Sequence, residues 1–162
     1  MKKFLFTILI VLLAVNVYAI SIPDTEQIIN ASGEEAVWLM GVYNNEGATL
    51  DAGDVVVWDI ASSTGDNDYY VKKVSETDTF MVAGIVYGKD IASSSNGVIA
   101  VKGIVDVDVT GTVNTGTLLC TSNTTENGYA TACSSVTSDA DAFGFSLGNI
   151  SSGSVKAYIF GR

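Results

Sequence analysis

From Glu35 to the C-terminus the chain reads as short apolar stretches broken by glycine, asparagine, aspartate and serine. Val37, Leu39 and Met40 open the pattern, on a segment running to Tyr43. Asp51-Ala52-Gly53 is a turn, and Asp54-Val55-Val56-Val57-Trp58 after it is a strand. Ser62 to Asp68 is polar, and Tyr69 to Val74 returns as the partner strand. Phe80 to Tyr87 is almost continuously apolar, as expected of a strand covered on both faces. Asp90 to Gly97 is a small-polar loop. Val98 to Val109 resumes as strand, with Asp106 and Asp108 alternating against Val105, Val107 and Val109, so one face is wet. Thr117 to Leu119 and Tyr129 to Ala132 flank Asn127-Gly128, a strong hairpin turn. No segment carries a helical period of useful length. Residues 20–34 read as a polar lead-in arm, and 35–162 as one β-domain.

The first residues have a different pattern. Lys2 and Lys3 precede an apolar run from Phe4 to Val15, and Val17-Tyr18-Ala19 supplies the residues of a cleavage site. That order predicts a secretory signal peptide over residues 1–19, helical while attached and removed afterwards. Its apolar run is shorter than the about 20 residues that a spanning helix needs. The expected location is therefore outside the cytoplasm: secreted, at the cell surface, or in a periplasm. No membrane association is expected after cleavage.

Within the β-domain the order of parts occurs twice. Gly47-Ala48-Thr49-Leu50-Asp51-Ala52-Gly53 leads into a strand, and so does Gly111-Thr112-Val113-Asn114-Thr115-Gly116. Ala83-Gly84-Ile85-Val86-Tyr87-Gly88 precedes a Ser-rich loop and the strand from Val98; Phe143-Gly144-Phe145-Ser146-Leu147-Gly148 precedes Ser151-Ser152-Gly153 and the strand Val155 to Phe160. Glycine inside a strand marks a bend or a close backbone approach. Its recurrence at matched places predicts two similar β-halves, about 47–103 and 111–162, facing each other about a pseudo-two-fold axis. The fold class is all-β: a small barrel, a β-clip or a sandwich.

These runs, from Gly47 to Arg162, resemble small β-domains of tailed-bacteriophage virions: capsid decoration proteins and head- or tail-fibre modules. Gly84, Asp90, Gly97, Val101, Gly103, Gly144, Leu147 and Gly153 stand at the matching places. The resemblance implies a compact β-barrel or β-clip that binds shell proteins and often trimerises. The leader departs from that pattern, because virion proteins assemble in the cytoplasm.

Composition narrows the chemistry. There are 8 Lys and Arg against 18 Asp and Glu, giving a net charge of −10, and two of the basic residues lie in the leader. Such a surface repels phosphate backbones and anionic bilayers, so neither nucleic acid nor membrane is an expected partner. The chain has no histidine, which removes the commonest general base and most zinc sites. No cofactor and no enzymatic activity are expected. The two cysteines, Cys120 and Cys133, flank the Asn127-Gly128 hairpin; in an exported chain such a pair reads as a disulfide. Asp66 and Asp68, on a polar turn, are weak candidates for a hard cation. Asp139 and Asp141 read as loop surface. Trp58, Tyr69, Tyr70 and Tyr87, with Trp38 and Tyr158, are the candidate binding surface, suited to protein packing or to stacking on a glycan. Asn30, Asn123 and Asn149 lie in N-x-Ser/Thr sequons.

The pattern as a whole predicts a non-enzymatic structural module. It would bind a protein lattice, filament or virion-like surface and associate with copies of itself, since short strands must close or pair their edges. The alternative is a secreted carbohydrate-binding or adhesive domain.

Overall fold

Val and Ile lose rotamer freedom in helices and pack well on pleated surfaces, and the described part of the chain is built from strands alone. The structure, a computed structural model, describes residues 26–28, 37–60, 69–74, 82–122, 127–133 and 142–160. The leader, Asp66, Asp68, Asp139, Asp141, Asn30 and Asn123 lie outside the described residues. Ten strands follow in chain order: β1 (Glu26–Ile28), β2 (Val37–Asn44), β3 (Val55–Trp58), β4 (Tyr70–Lys73), β5 (Val82–Val86), β6 (Asn96–Val109), β7 (Leu118–Thr121), β8 (Ala130–Ala132), β9 (Gly144–Ser146) and β10 (Gly153–Ile159). One strand falls within the expected lead-in arm: β1 pairs antiparallel with β2, Gln27 opposite Trp38. A polar sequence joins the sheet there because its pairing is made by backbone, which composition does not report.

The pairings form two rings. In the first, β2, β4, β3, β5 and β6 follow one another, and β6 returns to β2. In the second, β6, β8, β7, β9 and β10 follow, and β10 pairs back with β6. The 14-residue β6 belongs to both. Its first part pairs with β2 from Asn96 to Lys102, and its second part with β10 from Gly103 to Val109. The changeover falls at Gly103, whose φ of 113° a residue with a Cβ rarely adopts.

The two rings are copies of one unit. Each strand of the first has a counterpart in the second, with the same neighbours and the same directions. The parallel pair β2–β4 corresponds to β6–β8, and the antiparallel order β3–β5–β6 corresponds to β7–β9–β10. The loops match to the hydrogen bond. Leu50 and Ile91 exchange N–H···O bonds of 3.0 and 2.8 Å; Val113 and Ile150 exchange bonds of 2.8 and 2.9 Å. In the turn before β3, the Asp51 N–H donates to Asp54 Oδ2; before β7, the Asn114 N–H donates to Thr117 Oγ1. The third turn residue is Gly53 in one and Gly116 in the other, with φ of 101° and 82°. Gly84 and Gly144 also correspond: a Cβ on either would overlap a backbone oxygen of the neighbouring strand, that of Ala100 or of Tyr158.

The apolar core shows how the units meet. The inner residues of the first, among them Val42, Leu50, Val56, Val71, Ile91 and Ile99, form one cluster. Their counterparts in the second, Val107, Val113, Leu119, Ala130 and Ala157, lie in a second cluster, with Ile150 half-buried against it. That second cluster also takes in another set from the first unit: Leu39, Val55, Val57, Val74, Ile85 and Ala100. The contact is thus between non-equivalent faces. A two-fold axis would bring equivalent residues together, so the expected pseudo-two-fold arrangement is replaced by a tandem one. The shared strand β6 imposes this, because it closes one unit and opens the next.

Candidate interaction surfaces

Of the aromatics singled out in the sequence, three gather at one end of the first unit. Trp58 ends β3, opposite Val71 of β4, and packs half-buried on the inner cluster. Tyr70 is half-buried and lies against Tyr43, ring centroids 5.0 Å apart. Tyr69, 42 % exposed, precedes it. Tyr87 is 37 % exposed but follows β5 at the other end of β3, where Val55 pairs with Ile85. Strand rise puts about 10 Å of β3 between those ends, so the four do not form one continuous platform. Trp38 faces outward on β2, and Lys102 of the paired strand holds its ammonium 5.5 Å from the indole centroid, within cation–π range.

The junction of the units contains the described residues with perturbed ionisation. Asp54 is 2 % exposed. Its Oδ2 accepts from the Asp51 N–H at 2.7 Å and pairs with Lys73 Nζ at 2.8 Å; Asp51 Oδ2 is 3.2 Å from the same ammonium. Gly128, with φ of 88°, seals the pair: a Cβ there would reach the Asp54 carboxylate. The Gly128 oxygen accepts from the Val55 N–H at 2.6 Å, and its N–H donates to Val74 O at 3.1 Å. The Asn127-Gly128 turn of the second unit is in this way hydrogen-bonded onto β3 and the end of β4. Burial pushes the Asp54 carboxyl above its ordinary value, against the pull of Lys73 and the Asp51 N–H. Burial lowers Lys73, and its bonds to Asp54 and Asp51 more than reverse this. Asp108 sits over Gly53, and burial raises it too, against a hydrogen bond from Ser154. Turn, ion pair and inter-unit contact account for these groups structurally. Among the described residues no three His, Cys, Asp or Glu side chains come together as metal ligands.

Cys120 and Cys133 form a disulfide, S–S 2.02 Å, across β7 and the end of β8. They stand where the first unit has Val57 and Val74, as the matching bonds from the Val74 N–H to Val55 O and from the Cys133 N–H to Leu118 O show. Asn149 is no bare sequon: its Oδ1 accepts from the Thr115 N–H at 2.7 Å, as Asp90 Oδ1 does from Ala52 at 2.9 Å.

Tyr158, singled out in the sequence, is joined by two aromatics that were not, Phe145 and Phe160. Phe145, Tyr158 and Phe160 contact one another on the outer face of the second unit, with ring centroids 5.5, 5.9 and 6.3 Å apart. Alternation along β10 carries the signal: Val155, Ala157 and Ile159 point inward, so Tyr158 and Phe160 point out.

No protein-family model matches the chain, and no curated protein matches its sequence. Its fold does have a counterpart among solved structures. It is similar to the N base of head fiber gp8.5 of bacteriophage phi29, at TM-score 0.54 and 15 % identity, over 75 % of this chain and 94 % of that one. At that identity the likeness concerns the fold.

Proposed function

We propose that this chain is a structural protein of a virion or virion-like surface, working by attachment to other protein subunits and to copies of itself and not by catalysis. The observation that carries the reading is the β-fold shared with a phage head fiber base across most of both chains. The internal construction supports it. Ionised groups at the junction of the units tie a turn and brace a contact, and the outward aromatics lie on sheet faces, where protein surfaces meet. The leader expected over residues 1–19 belongs to the same proposal, as does work outside the cytoplasm.

The test is fractionation. Particles from the producing culture are banded on a density gradient, and the fractions are probed for this chain and for the major shell protein. The expected result is co-banding, and a chain confined to the soluble fractions refutes the proposal. Mass spectrometry of the recovered protein reads the leader separately: an N-terminus at Ile20 is expected.

A further inference from the structure

The tandem relation leaves one face of the second unit in a different state from its counterpart in the first. In the first unit, Leu39, Ala100, Ile85 and Val55 lie side by side across β2, β6, β5 and β3. All four are buried, Ala100 and Val55 completely, within the cluster that contains the inner residues of the second unit. The corresponding row in the second unit is Ile104, Tyr158, Phe145 and Leu118, across β6, β10, β9 and β7. These four are only half-buried, and Phe160 beside them is 36 % exposed. The local sequence nevertheless has the same character in both. Leu118-Leu119-Cys120 is as continuously apolar as Val55-Val56-Val57, the signature of a strand covered on two faces. Aromatic side chains have replaced Ile85 and Ala100, which enlarges the apolar surface.

The first unit shows the complementary deficit. Val105 and Ile159, inner residues of the second unit, are each 3 % exposed within the joint cluster. Val101, the counterpart of Ile159, lines a small cavity with Phe143 and Ile159 at the junction of the units, whereas Met40, the counterpart of Val105, is half-buried at the edge of the inner cluster, as is Trp58. One unit thus offers an apolar row of the kind that is covered inside the molecule, and the other offers inner residues of the kind that do the covering. The row carries no carboxylate, in a chain whose net charge is −10. The ionised residues beside it on β6 and β10, Asp106 and Lys156, pair with each other at 3.5 Å. The row itself therefore adds little like-charge repulsion between copies.

We propose that the Ile104–Tyr158–Phe145–Leu118 row, with Phe160, docks the Met40–Trp58 side of the first unit of a second copy of this chain, repeating between molecules the contact made within one. The contact is head-to-tail, so it propagates until it closes into a ring or runs on as a filament. This rests on the self-association in the function proposed above and names the surfaces that carry it.

The experiment is sedimentation velocity on the purified chain at about 10–100 µM, the range in which a modest interface is populated, with far-UV circular dichroism to confirm folding. Wild type is expected to sediment as a multiple of one chain. Phe160→Glu and Met40→Glu are each expected to sediment as single chains with unchanged spectra, while Lys89→Glu, on the exposed turn after β5, assembles like wild type. Each defective variant keeps one intact face, so mixing Phe160→Glu with Met40→Glu restores a two-chain species and nothing larger. Trp58→Lys replaces Met40→Glu if the latter does not fold. A wild type that assembles but is indifferent to Phe160→Glu overturns the surface while self-association stands. Assembly lost in both variants with no rescue on mixing overturns the head-to-tail geometry. A monomeric wild type overturns self-association itself and leaves co-banding with particles to be judged independently.

Discussion

The disulfide permits a quantitative test of the internal equivalence. Cys120 and Cys133 are 13 residues apart, and a loop of that size held closed in the unfolded chain stabilises the native state by about 3 kcal/mol. The first unit has no bridge at the matching place. Val57 and Val74 stand there, 1 % and 0 % exposed. The same local architecture therefore accepts two valines, and Cys120→Val/Cys133→Val should lose the loop contribution while keeping an apolar contact. Cys120→Ser/Cys133→Ser loses the same contribution and also places a hydroxyl at the buried Cys120 position, a further about 1–3 kcal/mol. Guanidinium denaturation under oxidising conditions, followed by circular dichroism, reads both. The expected order is wild type, then the valine pair about 3 kcal/mol lower, then the serine pair lower again. A serine pair as stable as the valine pair refutes the claim that these positions repeat Val57 and Val74. A valine pair as stable as wild type refutes the loop-entropy magnitude.

Three further outcomes are expected. Gly84→Ala and Gly144→Ala each drive a Cβ into the backbone of the adjacent strand, so each should lower stability by about 1–3 kcal/mol in thermal melts; a neutral result at either removes the close approach. Asn44 is fully buried, donating to the carbonyls of Ala48, Ile91 and Ala92 and accepting from the Glu46 N–H; Asn44→Ala strands these groups and should cost at least about 2 kcal/mol by denaturant titration, with a loss under about 0.5 kcal/mol counting against the network. Asp54 and Asp108 both have carboxyls raised by burial, so through that window the folded chain holds more protons than the unfolded one: their contribution to stability is greatest below the ordinary aspartate range and falls as pH rises through the raised values. Between about pH 6 and about pH 4, Asp108→Asn should therefore gain less stability than wild type, and superimposable profiles refute the assignment.

Much of the strand pattern was legible because it is local. Val105, Asp106, Val107, Asp108 and Val109 announce one wet and one dry face, and Asn127-Gly128 announces its turn with no knowledge of the rest. The repeat could also be read, since Gly53 and Gly116, or Gly84 and Gly144, answer backbone demands that only glycine meets. What could not be read is which outward face becomes inward. Ile85 and Phe145 both follow a strand glycine and look alike in a one-dimensional pattern, yet one is sealed in the joint cluster and the other is half-buried. That difference is decided by chain far away in sequence. The outward position of Phe160 was missed for the same reason: an apolar side chain on a strand is assigned to a core by default. The role of Asp54 depends on Lys73 from β4 and on Gly128 from the other unit, a meeting that spacing does not encode.

The single strand β6 explains why the two units are asymmetric despite being copies. Had they been joined by a loop, they would have been free to meet through equivalent faces, as two like surfaces do about a two-fold axis. A continuous strand removes that freedom. Its residues 96–102 lie beside β2 and 103–109 beside β10, so the second unit must begin where the first ends, turned only as far as the twist and the bend at Gly103 allow. A linear succession of units always has two unlike ends. In long repeat arrays those ends are relieved by polar capping units. Among the described residues the succession is two units long. The trailing end bears Phe145, Tyr158 and Phe160 instead of a polar cap. An apolar terminal face is a liability for an isolated soluble chain and an asset for one that is completed by assembly.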